Sequence, residues 1–187
     1  MKRRYLLAAT LAVAAFSAAA QAPAPRVALE TSEGKIVVEL APQVAPKTVE
    51  NFLTYVKSGH YDGTVFHRVI PGFMVQGGGF TADMKEKSTR GTIPLESRNG
   101  LKNERGTLAM ARRGDPDSAS AQFFINVVDN ANLDYPKPDG NGYAVFGKVV
   151  EGMDVVDKIR AAPTASRGPH QNVPVAPITI KTARIVK

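Results

Sequence analysis

At 187 residues, with 43% hydrophobic and 22% charged side chains, the chain suits one domain with a substantial core and is short for two. It contains no cysteine, which excludes thiol catalysis, disulfides and cysteine-ligated metals. The formal charge of +7 falls by three, to +4, without Lys2, Arg3 and Arg4, and the remaining basic residues are interleaved with acids or paired, without the stripe and stacking aromatics of a nucleic-acid binder.

The first segment reads as an address. Lys2, Arg3 and Arg4 are followed by the apolar run Tyr5–Phe16 and the small residues Ser17–Ala22, the order of a secretory signal peptide. The apolar run is shorter than the about 20 residues of a membrane-spanning helix. A-x-A sites end at Ala20 and Ala22. Cleavage after Ala20 is preferred, because Pro23 would crowd a cut after Ala22. Residues 1–20 are therefore expected to be a signal peptide, 21–25 a spacer and 26–187 the working domain, periplasmic and free of the membrane once the leader is removed.

Val27, Leu29 and Thr31, then Ile36, Val38 and Leu40, alternate around Glu33-Gly34, the pattern of a β-hairpin. Pro46 opens a helix, where its missing N–H costs nothing, and Val49, Phe52, Leu53 and Val56 give that helix one apolar face. Val65–Ile70 and Phe73–Gln76 read as strands about a Pro71-Gly72 turn. Alternation assigns Phe66, Arg68 and Ile70 to one face and Val65, His67 and Val69 to the other. Gly77, Gly78 and Gly79 mark a bulge or a close backbone approach. Residues 81–105 form a long polar connection, expected to be functional or lid-like. Thr107–Ala111, Gln122–Val128 and Tyr143–Val150 are strand-like. Gly152–Ala162 is a second helix, 163–177 a Pro/Gly-rich loop, and Ile178–Val186 a closing strand. About eight strands, two helices and no βαβ rhythm point to a mainly β fold, an antiparallel barrel or sandwich with helices over its open ends.

Familiar catalytic arrangements are missing. There is no G-x-S-x-G elbow and no Walker loop. His60, His67 and His170 are scattered, with no H-E-x-x-H or carboxylate cluster beside them, so neither a metal nor another cofactor is expected. What remains is arginine, glutamine and large apolar residues in short strands. Arg68 shares its predicted face with apolar neighbours, so its cation is either snorkelling to water or held for use.

One resemblance gathers these residues. Phe66-His67-Arg68-Val69-Ile70-Pro71-Gly72-Phe73-Met74-Val75-Gln76-Gly77-Gly78 is similar to the central motif of the cyclophilins. Met110-Ala111 with Ser120-Ala121-Gln122-Phe123-Phe124-Ile125 resembles their second active-site segment, and Val145-Phe146-Gly147-Lys148-Val149 the strand that follows. Thr48-x-Glu50-Asn51-Phe52 fits the first helix. The resemblance, closest to the bacterial exported branch, runs from about residue 26 to the C-terminus. It implies a closed eight-stranded antiparallel β-barrel capped by two α-helices and a cofactor-free peptidyl-prolyl cis-trans isomerase. Arg68, Phe73, Gln76 and Phe124 are then catalytic. Met74, Ala111, Arg112, Gln122, Leu133 and Tyr143 bind substrate, a proline-containing unfolded or partly folded polypeptide. A monomer is expected.

Departures from the common pattern carry expectations too. Asn132 stands where many members have a tryptophan that borders the pocket and contacts cyclosporin, so weak cyclosporin binding is implied. Tyr143 stands for a histidine, in a loop longer than the common one. Arg112 replaces an asparagine whose contact is largely through the backbone, so sequence preference is expected to change more than rate. Two other readings compete: a non-catalytic proline-peptide-binding chaperone module, for which Arg68 would be superfluous, and a lipocalin-like carrier, which would need an open apolar interior.

Overall fold

A computed structural model describes residues 23–187; the expected leader and both of its cleavage sites lie outside the described residues. In chain order the elements are β1 (Arg26–Thr31), β2 (Lys35–Leu40), α1 (Pro46–Lys57), β3 (Thr64–Ile70), β4 (Met74–Thr81), β5 (Thr107–Met110), β6 (Phe123–Asn126), a 3-10 turn (Ala131–Leu133), β7 (Val145–Glu151), α2 (Met153–Arg160), β8 (Thr164–Arg167), β9 (His170–Pro174) and β10 (Thr179–Val186). Eight strands close a barrel in the order β1-β10-β3-β4-β6-β5-β7-β2. All neighbouring strands run antiparallel, and closure leaves the barrel no unpaired sheet edge.

The two faces of the barrel wall are read off by alternation. Val75 on β4, Leu108 and Met110 on β5, Phe123 and Ile125 on β6 and Phe146 on β7 point inward. There they join Leu29, Ile36 and Val38 and the α1 residues Phe52 and Val56 in one buried core. Phe52 packs edge-on against Phe123, with ring centres 5.6 Å apart. Side chains thus fill the barrel, and a ligand-carrying interior is ruled out. The intervening residues Met74, Ala109, Phe124 and Val145 point outward and form a second cluster with Leu133. A cluster of large apolar residues outside a filled barrel requires its own cover, and that need positions the site.

The loop sequences explain how the elements are held. Pro46 starts α1 without a side-chain cap from Ala45. The unpaired N–H groups are met instead by Glu96, whose carboxylate accepts from Lys47 N at 3.2 Å, Thr48 N at 2.8 Å and Thr48 Oγ1 at 2.7 Å, the chemistry of an N-cap delivered from a remote loop. Glu96 belongs to the segment expected to be lid-like. That segment is strapped to the barrel. Arg90 N donates to the Tyr55 hydroxyl at 2.8 Å, Asn99 Nδ2 to Val145 O at 2.8 Å, and Ile93 bridges Ala119.

Two further expectations change. Residues 163–177, read as a loop, contain the hairpin β8–β9; β8 is mostly exposed and the buried residues of β9, Val173 and Pro174, are adjacent, so no apolar alternation announces them. The predicted faces of β3 also slip. Phe66 and Val69 are both in the barrel core, although they are three residues apart. Phe66 pairs with Gly77 and Arg68 with Gln76, so His67 is an extra residue on β3, a β-bulge. It packs under Phe80, with ring centres 4.7 Å apart. Arg68 and Ile70 are thereby delivered to the outer face without Phe66.

Candidate active site

Beside the second apolar cluster is a depression of about 100 Å³ lined by Arg68, Phe73, Met74, Gln76, Ala111, Arg112, Phe124, Leu133 and Tyr143. A larger one of about 300 Å³ adjoins it, shares Gln76, Ala111 and Arg112, and is lined also by Gln122. All ten residues singled out in the sequence therefore meet in one continuous region.

Strand register accounts for most of this. Arg68 on β3 is opposite Gln76 on β4, which is opposite Phe124 on β6, which is opposite Ala109 on β5. Four adjacent strands set these residues in one row across the outer face. Close approach is secured by glycine. A Cβ at Gly79 would sit 2.6 Å from the Gln122 side chain, and Gly78, at φ +86°, would meet Tyr61 at 2.8 Å. The glycine run is thus a place of close approach, as its pattern predicted.

Polar side chains in the row form a chain. Arg68 Nη1 lies 3.4 Å from Gln76 Oε1, and Gln76 Nε2 donates to Gln122 Oε1 at 2.9 Å. Among the described residues no carboxylate pairs with Arg68. Its remaining N–H groups are therefore available to a ligand, beside an apolar surface that strengthens their field. His67, next in sequence, is buried, and its Nδ1 has no hydrogen-bond partner. Burial pushes its pKa down to about 4, with the Arg68 charge acting in the same direction, so it is neutral at pH 7.

The apolar wall depends on residues that sequence reasoning missed. Phe73, just past the Pro71-Gly72 turn, has its carbonyl held by Asn130 Nδ2 at 2.8 Å and Val127 N at 3.2 Å. Asn130 N in turn donates to Asn103 O at 2.7 Å, and Asn130 Nδ2 also reaches Asn126 Oδ1 at 2.7 Å. Asn126 Nδ2 donates to Asn103 Oδ1 at 3.2 Å, and Asp134 Oδ1 accepts from Asn103 N at 2.7 Å. The three asparagines are buried, and their mutual satisfaction makes the network a rigid support for the turn that carries Leu133. One clue was available: Asn126 ends an otherwise apolar Phe-Phe-Ile-Asn strand.

Tyr143 completes the wall. Its N–H donates to Leu133 O at 2.9 Å, and its ring meets Phe124 edge-on with centres 5.8 Å apart. Arg112 lies over the same ring, its Cζ 4.5 Å from the ring centre. Asn132 is exposed and does not line the depression.

The comparisons with known proteins decide the family. Residues 26–185 match the family described as cyclophilin type peptidyl-prolyl cis-trans isomerase/CLD, almost the entire described chain. The chain belongs to the cyclophilin family. This cyclophilin is 60% identical over 162 residues to peptidyl-prolyl cis-trans isomerase cyp18 of Streptomyces antibioticus, covering 86% of this chain and 98% of that one. It is 55% identical over 190 residues to peptidyl-prolyl cis-trans isomerase A of Dickeya dadantii (strain 3937), with both chains covered in full. Its structure resembles a cyclophilin-type isomerase of Cryptosporidium parvum at a TM-score of 0.73 and 28% identity, covering 88% of this chain and 98% of that one. It also resembles the structure of that protein in the presence of the dipeptide Ala-Pro, at a TM-score of 0.71 and 28% identity, covering 87% and 99%. By fold and family this cyclophilin is a peptidyl-prolyl cis-trans isomerase.

Proposed function

We propose that this cyclophilin accelerates X-Pro rotation in exported polypeptides by stabilising the twisted amide at Arg68, without a covalent intermediate. Rotation about a peptide bond is slow because it breaks amide resonance, at a barrier of about 18–20 kcal/mol. In the twisted state the prolyl nitrogen becomes pyramidal and regains a lone pair. A fixed donor aimed at that nitrogen binds the transition state more tightly than either planar isomer. The observation that carries the proposal is an Arg68 guanidinium that no carboxylate among the described residues pairs with, at the edge of a small depression walled by apolar residues.

The other roles follow from chemistry. Phe73, Met74, Phe124, Leu133 and Tyr143 enclose the pyrrolidine ring. Burying its three methylenes contributes roughly 2 kcal/mol at about 0.8 kcal/mol each. Gln76, polarised through Gln122 and Arg68, bonds the backbone near the rotating carbonyl. Ala111, Arg112 and Gln122 border the larger depression, which takes the chain preceding proline in extended form. Clients are proline-containing unfolded or partly folded polypeptides, met by a monomer in the periplasm, and cyclosporin binds weakly.

A binding-only chaperone is the second reading, and Arg68 argues against it, since gripping a proline ring requires no donor at its nitrogen. Isomerisation of a proline-containing chromogenic peptide by residues 21–187 separates the two. Catalysis supports the isomerase, whereas peptide binding without rate acceleration would leave the chaperone.

A further inference from the structure

Arg112 is unusual among the residues that border the site. Its side chain is only 2% exposed, although it carries a full charge. Nε donates to Gly142 O at 3.0 Å, Nη1 to Arg113 O at 3.0 Å, and Nη2 to both carboxylate oxygens of Asp139, at 2.8 and 2.6 Å. All three nitrogens are thus engaged within the protein, while the guanidinium face rests on the Tyr143 ring. A buried cation is tolerated only when it is paired and hydrogen-bonded, and the paired carboxylate is that of Asp139. In return the guanidinium holds the Asp139 carboxyl below the ordinary carboxylate range.

The loop that brings Asp139 there is folded onto itself. Asn141 N donates to Asp139 Oδ1 at 3.1 Å, and Asn141 O accepts from Ser97 Oγ. Gly142, at φ +71°, is so close to the preceding turn that a Cβ would lie 2.6 Å from Tyr135 N. Tyr143 therefore leaves this loop with its ring in contact with both Phe124 and Arg112.

We propose that Asp139 is a positioning residue for proline binding: it fixes Arg112, and Arg112 holds Tyr143 as the outer wall of the ring pocket. This rests on reading the depression as the pyrrolidine pocket. Asp139 stands outside that pocket and acts through its neighbour. Without its carboxylate, the Arg112 cation is left buried and unpaired, and it gains by swinging toward water, which withdraws support from Tyr143. The pyrrolidine ring stays in place while the acyl side turns, so its wall contacts are equal in ground and transition states. Loss of uniform binding raises KM and leaves kcat unchanged.

The test is the steady-state isomerisation of an Ala-Pro-containing peptide by wild type, Asp139→Ala, Asp139→Asn and Asp139→Glu, with Kd for the same peptide measured by NMR titration. Asp139→Ala is expected to raise KM and Kd about fivefold with kcat within about twofold, and Asp139→Glu to recover most of the loss. Combining Asp139→Ala with Arg112→Lys should add little to either change alone, because the two residues act as one unit. An unchanged KM and Kd in folded Asp139→Ala, with only a lower melting temperature, would overturn the proposal, and so would a fall in kcat at constant KM. A wild type that binds the peptide without isomerising it would refute the isomerase reading instead, and the Kd series would still decide the part played by Asp139.

Discussion

At the residue scale, His67 shows how the site strains its own support. As the extra residue of the β3 bulge it is buried beneath Phe80, with Nδ1 unpartnered and its pKa lowered to about 4. Its ordinary value is 6.5, so between those values the unfolded chain holds a proton that the folded chain does not. Stability therefore rises with pH through this window and is lost as pH falls. From pH 7 to pH 5 this group alone removes roughly 2 kcal/mol, and His60, also lowered by burial, acts in the same direction. The lowered carboxyls Asp62, Asp139 and Asp157 act at lower pH. Urea unfolding at both pH values should show a clearly smaller loss in His67→Gln than in wild type; equal losses would contradict the burial account. Arg68, Gln76 and Phe124 were legible in the sequence because a near-contiguous motif carries them. The burial of Arg112 was not, because its partner Asp139 is 27 residues away in a loop without periodicity.

The element scale marks where pattern reading stops. Along β5 and β6 alternation matches the observed faces, since β4, β6 and β5 pair without interruption near the site; where β5 meets β7 the register shifts between Leu108 and Ala109. On β3 alternation fails at His67, because a bulge adds a residue without leaving a compositional sign on its own strand. The sign is on the partner strand, in Gly77-Gly78-Gly79. The hairpin β8–β9 was missed for another reason: β8 is mostly exposed and the buried Val173 and Pro174 of β9 are adjacent, so neither strand alternates. The 3-10 turn Ala131–Leu133 sends Leu133 into the apolar cluster and leaves Asn132 exposed. A large aromatic is thus missing where the family resemblance puts an indole against cyclosporin, and an exposed amide offers little apolar area in its place. Inhibition by cyclosporin is expected to be weak, and titration of isomerase activity with the drug checks it. A nanomolar inhibition constant would show that the rest of the rim compensates.

For the whole molecule, stability is reached without a disulfide, since the sequence has no cysteine. Among the described residues, twenty-eight buried apolar residues form the principal core, so stability rests on packing. Among the described residues, no helix is long and apolar enough to cross a membrane. Export is expected to remove residues 1–20 and yield a periplasmic protein beginning at Gln21. Mass spectrometry of the periplasmic fraction tests this, and a full-length chain confined to the cytoplasm would refute it. The eight barrel strands and the fold class were legible from alternation and turn residues, closure came through the family resemblance, and strand order came from neither. Pairings such as Thr179 with Val65 join distant parts of the chain, and local pattern holds no record of them.

The claim on which the rest depends is that Arg68 recognises the twisted prolyl amide. Its most direct test is the isomerisation rate of a proline-containing chromogenic peptide with wild type and Arg68→Ala, alongside peptide Kd and circular dichroism. The account predicts a fall in kcat of about 10²-fold or more, the usual loss for a donor that serves the transition state, with fold and peptide affinity nearly intact. Full activity in a folded Arg68→Ala protein would contradict it.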